Sequence, residues 1–302
     1  MKNISITKIC LLGFGEVGQV LARGLHAHAP HLKLRVTDKL LLKPGSRARR
    51  AMADYPGIEF EELPALAVQG CELVISAVTA GQALAAAESL LSGLEPGAFF
   101  LDLNSVSPGT KQRLAQCIDA EGGRFVEASI MSPIEPARLQ SPILLGGPHA
   151  QEFLPLGQAL GFSGMRFCSE QVGRAAATKM CRSVMIKGME ALIAESLLSA
   201  RHYGVESAVL ESLSNLFPMP DWPAHARYMI SRSVEHGARR AEEMREVART
   251  VQEAGISPHM SSGCVERQEW AAGFKPVLQH QELVPMLNAI LDQINELEKI
   301  HE

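Results

Sequence analysis

One short segment constrains this chain more than any other. A run that reads as a strand, Ile6 to Leu12, passes directly into Gly13-Phe14-Gly15-Glu16-Val17-Gly18, and apolar residues then recur at helical spacing from Val17 to His28. In a G-x-G-x-x-G between strand and helix, the first glycine permits the tight turn and the second lets the backbone approach a pyrophosphate. The third lets the helix pack closely on its strand. Amides at the helix start and the positive end of its dipole then hold the anion without a basic side chain. A second strand, Leu32 to Val36, leads to Asp38, 20 residues beyond Gly18. A carboxylate there accepts hydrogen bonds from ribose hydroxyls and repels a 2'-phosphate.

The pattern points to a nicotinamide dinucleotide, NAD in preference to NADP. Gly13, Phe14, Gly15, Glu16, Val17, Gly18 and Asp38 are its candidate ligands, joined by Val78 and Thr79 where a third apolar run, Leu73 to Val78, ends. A purely structural glycine turn is the plain alternative, and FAD uses the same fingerprint. Lys39, Arg47 and Arg49 leave a route to a cofactor phosphate open, although the stretch Lys43 to Arg50 also reads as a solvated helix start.

Further apolar runs at Ala98–Leu103, Phe125–Ala128 and Ile143–Leu145 bring the strands to six or more, alternating with helical patterns. That alternation predicts an α/β fold, a Rossmann-type doubly wound parallel sheet. After Phe167 the pattern changes to one long helix, Val172 to Tyr203, and then to an all-helical region with loops at Phe217–Pro223 and Gly255–Gly263. A chain of 302 residues is long enough for two cores. The expected domains are 1–168, binding the dinucleotide, and 169–302, helical and serving substrate and dimerisation.

With 46% hydrophobic and 21% charged residues the composition is that of a globular protein. The N-terminal apolar run is too short for a signal peptide or a membrane span, so a cytoplasmic location is expected. A net charge of -4, with Trp 2 and Tyr 3, speaks against nucleic acid as a partner. The six cysteines are scattered without a C-x-x-C pair, and no metal is expected. His26, His28 and His31 read as a surface loop rather than a metal site, since no carboxylate or thiol completes one.

The long helix is apolar on nearly every side except for Lys179, Arg182, Ser183, Lys187 and Glu190, whose spacing aligns them on one face. Such a stripe either lines a solvated cleft or forms an internal salt-bridge ladder, because an unpaired buried lysine is costly. A lysine on it suits acid/base work, since partial burial and a neighbouring cation such as Arg182 both favour the neutral amine.

Three motifs together, the glycine loop, Asp102-Leu103-Asn104-Ser105-Val106-Ser107-Pro108 and Gly173 through the helix bearing Lys179, resemble the β-hydroxyacid dehydrogenase family. That family includes 3-hydroxyisobutyrate and 6-phosphogluconate dehydrogenases, and the chain is similar to its phosphogluconate-dehydrogenase-like branch. The resemblance covers essentially the whole chain. It implies a Rossmann domain, a long interdomain helix, an all-helical C-terminal domain and a homodimer. The implied activity is hydride transfer between nicotinamide and a small hydroxy or keto substrate. It places Asn104 and Ser105 at nicotinamide and substrate, makes Lys179 the general acid/base, and matches Ser132 to the serine of a substrate loop. The bland readings are a strand-end turn for Asn104 and Ser105 and a loop hydroxyl for Ser132.

Departures qualify the substrate. Two glycines that usually follow the loop serine are Pro133 and Ile134, and proline has no N–H to offer a carboxylate. Ser183 stands where an asparagine is common. Arg182 either restores anion recognition through its forked donors or pairs with Glu190 or Glu195. No role is assigned to Arg239–Met244, near the family's later lysine and aspartate. The segment Pro218–Tyr228, with Trp222, His225 and Tyr228, either caps a substrate or packs the helical domain. An imine reductase and a dinucleotide sensor without catalysis are the alternative functions.

Overall fold

The computed structural model describes residues 6–213 and 221–301, the side chains of 195 and 297–301 excepted. Among these residues eight strands form one sheet: β1 (Lys8–Leu12), β2 (Lys33–Thr37), β3 (Glu59–Phe60), β4 (Leu73–Ser76), β5 (Phe99–Asp102), β6 (Arg124–Ile130), β7 (Ile143–Gly146) and β8 (Met165–Ser169). Their order is β3-β2-β1-β4-β5-β6-β7-β8. The chain winds one way from β1 to β2 and β3, and the other way from β1 to β4 and beyond. The reversal at β1 opens a crevice at the strands' carboxyl ends, where ligands of such sheets bind.

Burial on both faces explains why these strands are continuous apolar runs rather than alternating ones. All four residues of β4 and of β5 are buried. In β1, Ile9 and Leu11 enter one core with Phe14, Leu21 and Leu25, while Cys10 and Leu12 enter the other with Val74, Phe100 and Leu114. The two-residue period of a strand thus divides one segment between two hydrophobic layers. Each large apolar side chain so enclosed contributes about 1.5–3 kcal/mol.

The sheet is parallel from β3 to β6, as expected of a Rossmann-type sheet, and β7 runs antiparallel to β6. The register pairs Ile130 with Ile143, so residues 131–142 form a hairpin connection at the same edge as the glycine loop. Two strands escape sequence reading. β3 has only two residues, and β8, with Met165 alone buried, lacks the apolar run that marks a core strand.

Two compact units divide the chain at Met180 and Cys181, inside the long helix Arg174–His202. The second unit contains the helices Glu206–Leu213, Trp222–Glu253, His259–Ala271 and Leu283–His301. The loop expected over Gly255–Gly263 ends at Pro258, and His259–Gly263 is already helical. Of the loop expected over Phe217–Pro223, residues 217–220 lie outside the described residues. Trp222 and Pro223 open a helix whose first turn is capped by Asp221, its carboxylate accepting from the Ala224 amide at 2.9 Å. Trp222 joins Leu197, Ile230 and Met286 in the core of this unit, which favours packing for that residue.

Candidate functional site

The glycine loop is shaped by close approaches. Gly13 has φ +104°, and a side chain there would meet the carbonyl oxygen of Ala77 at 2.5 Å. A methyl group on Gly18 would collide with the carbonyl oxygen of Gly13, which explains the third glycine as a helix-packing requirement. Gly15 differs, because nothing lies within 4 Å of the position its Cβ would take. No side chain caps the helix Glu16–His28 that begins beside it. An open glycine next to an uncapped helix start is what a dinucleotide pyrophosphate requires, so the loop fits that cofactor.

Phe14 contributes backbone only. Its ring is buried edge-on against Tyr55 and Phe60, with centroids at 5.1 and 5.2 Å. Its amide donates to Asp38 at 2.7 Å, and the other carboxylate oxygen of Asp38 accepts from the Leu40 amide at 2.7 Å. Asp38 therefore ties the glycine loop to the end of β2, with one lone pair per oxygen left for a ribose. The basic residues nearby are partly engaged: Lys39 donates to Gln82 at 2.6 Å, and Arg49 reaches the Leu41 carbonyl and Glu62.

The ends of β4 and β5 are joined through Asn104. Its side-chain oxygen accepts from the Val78 amide at 2.7 Å, and its amide hydrogens go to Ser76 at 2.8 Å and Asp102 at 2.5 Å. Asn104 thus braces the loop carrying Val78 and Thr79, its amide hydrogens spent on that task. Behind it lies a wholly buried ion pair. Lys111, on the helix Pro108–Ala120, donates to the Asp102 carboxylate at 2.7 Å and to the backbone carbonyls of Asp102 and Ala128 at 2.8 and 3.2 Å.

The next residue, Ser105, meets Lys179. Lys179 Nζ donates to Ser105 Oγ at 2.6 Å across 74 positions of sequence. The helix that delivers the lysine is anchored by Glu127 of β6, whose two carboxylate oxygens accept from the Gly173 amide at 2.6 Å and the Ala176 amide at 2.5 Å. Burial and the nearby Asp102 push the Glu127 carboxyl up, while Lys111 and the two amides pull it down, and the net shift is upward. Glu127 and Lys111 were missed in the sequence. An acidic residue inside the apolar run Phe125–Ala128 was the available signal.

The remaining candidates stand elsewhere. Ser132 is exposed, its hydroxyl donating to the Pro133 carbonyl at 3.0 Å, whereas Ile134 is buried. Arg182 and Ser183 belong to the second unit, Arg182 exposed and Ser183 buried. Glu190 pairs with Arg240, and Glu195 lies outside the described side chains. Lys187 pairs with Glu243 at 2.5 Å, and Glu243 also takes Arg239 at 2.7 Å. Burial pushes the Lys187 amine down, against the pull of Glu243. At Lys187 and Glu190, then, the polar stripe is an internal ladder.

Residues 8–162 match the NAD binding domain of 6-phosphogluconate dehydrogenase, and residues 200–271 match a domain of unknown function. A conserved hypothetical protein from Sinorhizobium meliloti 1021 is 36% identical, with 94% of this chain and 96% of that chain covered and a TM-score of 0.72. A conserved protein described as structurally similar to 3-hydroxyacid dehydrogenases is 30% identical over 88% of this chain and 97% of its own, with a TM-score of 0.66. The chain belongs to the β-hydroxyacid dehydrogenase family. Within the β-hydroxyacid dehydrogenases, human mitochondrial 3-hydroxyisobutyrate dehydrogenase is 21% identical over 70% of this chain, and the match spans 62% of the human protein. No helix among the described residues is long and apolar enough to cross a membrane.

Proposed function

We propose that this β-hydroxyacid dehydrogenase family member is an NAD(P)-dependent oxidoreductase acting on a small hydroxy or keto substrate, with Lys179 as its general acid/base. The observation that carries the reading is the 2.6 Å hydrogen bond from Lys179 to Ser105, formed within the unit that also holds the glycine loop. When bound, a nicotinamide dinucleotide supplies the two-electron hydride chemistry. Gly13 to Gly18 would hold its pyrophosphate, Asp38 would accept from its adenosine ribose, and the braced Val78–Thr79 loop would border it. In the oxidative direction neutral Lys179 takes the hydroxyl proton, and in reduction its ammonium returns it. Ser105 fixes the amine by accepting its hydrogen bond, and proton transfer by an amine so positioned is worth about 10²–10⁴-fold in rate.

Asp38 at the end of β2 supports NAD over NADP. The expected division of labour is 1–168 for the cofactor and 169–302 for substrate and dimerisation, with Ser132, Arg182 and Ser183 as substrate contacts. A homodimer in the cytoplasm completes the proposal. Exposed apolar side chains on the long helix, Met185, Ile186 and Leu192, suit burial against a second copy.

A second reading, reduction of a C=N bond, is favoured by one local feature. Pro133 offers no N–H, and Ile134 is buried, so the segment after Ser132 is a poor carboxylate cradle. The test titrates NADH and NADPH, then assays 3-hydroxyisobutyrate, L-serine and a panel of cyclic imines by nicotinamide absorbance. Lys179→Ala should bind cofactor as the wild type does and lose at least about a hundredfold in turnover. Unchanged turnover would remove the lysine from the mechanism, and absence of turnover in the wild type on every class would favour a sensor.

A further inference from the structure

Three ionisable groups sit together beneath the candidate site. Asp102 ends β5, Lys111 lies on the helix Pro108–Ala120, and Glu127 is on β6, paired in register with Asp102. All three are 0% exposed. Lys111 bonds Asp102 directly and also acts electrostatically on Glu127. Asp102 receives the Asn104 amide, and Asn104 precedes Ser105. On the other side Glu127 receives two amides at the start of the helix carrying Lys179.

We propose that Glu127 is a positioning residue for Lys179, and that the Asp102–Lys111–Glu127 cluster fixes the distance between the Lys179 amine and the Ser105 hydroxyl. Two donors aimed at two different oxygens suit a carboxylate, whose oxygens both only accept, whereas an amide would present its NH2 to one of the N–H groups. The helix start is therefore registered by an anion at the positive end of its dipole. Ala176 lies three residues before Lys179, less than one helical turn, so a displaced cap moves the amine directly. The fold makes room for this anion at Gly146. Gly146 of β7 faces Glu127 across the antiparallel pair, and a Cβ there would stand 2.5 Å from Glu127 Oε2. The two residues before it on β7, Leu145 and Leu144, pair with Ala128 and Ser129, so the space beside Glu127 is opposite the glycine.

The inference rests on the reading of Lys179 as the acid/base, and the experiment separates the two. Glu127→Gln removes the charge with its shape kept. Gly146→Ala keeps the charge and displaces the carboxylate. For both, the probes are NADH affinity, amide hydrogen exchange at Gly173 and Ala176, the NMR titration of the Lys179 side chain, and turnover of 3-hydroxyisobutyrate or whichever assayed compound the wild type oxidises. Both variants should bind NADH within about twofold of wild type, exchange faster at the two amides and shift the Lys179 titration. Their kcat should fall about tenfold or more with KM little changed, within the roughly hundredfold that a misplacement of about 1 Å costs. Folded variants with an unmoved Lys179 titration and wild-type kcat would overturn the proposal. If Lys179→Ala keeps full turnover while Glu127→Gln still shifts the lysine signal, the acid/base reading fails and the positioning role stands.

Discussion

Lys111 and Asp102 are both wholly enclosed, and each is tolerable largely because of the other. Replacing the lysine alone leaves a buried carboxylate without its partner, a change that costs about 3–5 kcal/mol. Lys111→Met should lose that much in urea denaturation, and Lys111→Met with Asp102→Asn should recover part of it. Glu127 behaves differently because burial holds its carboxyl above the usual 4.5 in the folded chain. As pH rises past that value the unfolded chain releases this proton first, so the folded state becomes the one holding more protons. The stability contributed by Glu127 is full below the unfolded pKa and is lost as pH rises through the folded one. Relative to Glu127→Gln, the wild type should therefore lose stability from about pH 4.5 upward, with Asp102, Lys111 and Cys168 as the titratable neighbours held constant by the comparison. A wild-type advantage that grows over that window would contradict the shift. The acidic residue in the run Phe125–Ala128 was visible in the sequence but its partners were not: Glu127 and Ala176 are 49 positions apart, and no local pattern encodes their meeting.

At the scale of elements, the strand, glycine turn and helix at the N-terminus were legible because every interaction that shapes them is local. Gly13 and Gly18 touch each other across five residues, and the period of β1 sorts its side chains without outside help. The reversed β7 and the edge strand β8 were not, since direction and membership are set by partners rather than by the strand's own composition. Two of the glycines make separable predictions. Gly18→Ala forces backbone apart and should lower both stability, by about 1–3 kcal/mol, and NADH affinity. Gly15→Ala has open space around it, so its melting should stay within about 0.5 kcal/mol of wild type while NADH affinity falls, which fluorescence titration reads directly. Equal affinity in Gly15→Ala and wild type would argue that no cofactor approaches that backbone.

For the whole molecule, the change of pattern after Phe167 set the expected boundary at 168, whereas the two compact units meet at Met180 and Cys181, inside a long helix that runs on without interruption and so leaves no local mark there. The ladder of Lys187, Glu243, Arg239, Glu190 and Arg240 was open to either reading until the partners from the helix Trp222–Glu253 were in place. Exposed Met185 and Leu192 set the expected assembly: light scattering should give twice the 32.7 kDa of one chain, and Leu192→Glu should shift it toward the single chain. A wild-type mass of one chain at micromolar concentration would reject the dimer. The hairpin between β6 and β7 has a different implication. Its two ends are pinned opposite one another at Ile130 and Ile143, and Ile134, Leu139 and Ser141 are buried, so the exposed positions Ser132, Pro133 and Glu135 are the ones that can be rewritten without disturbing the core. Evolution can therefore vary that span at its solvent-facing positions while the buried ones keep it seated on the sheet.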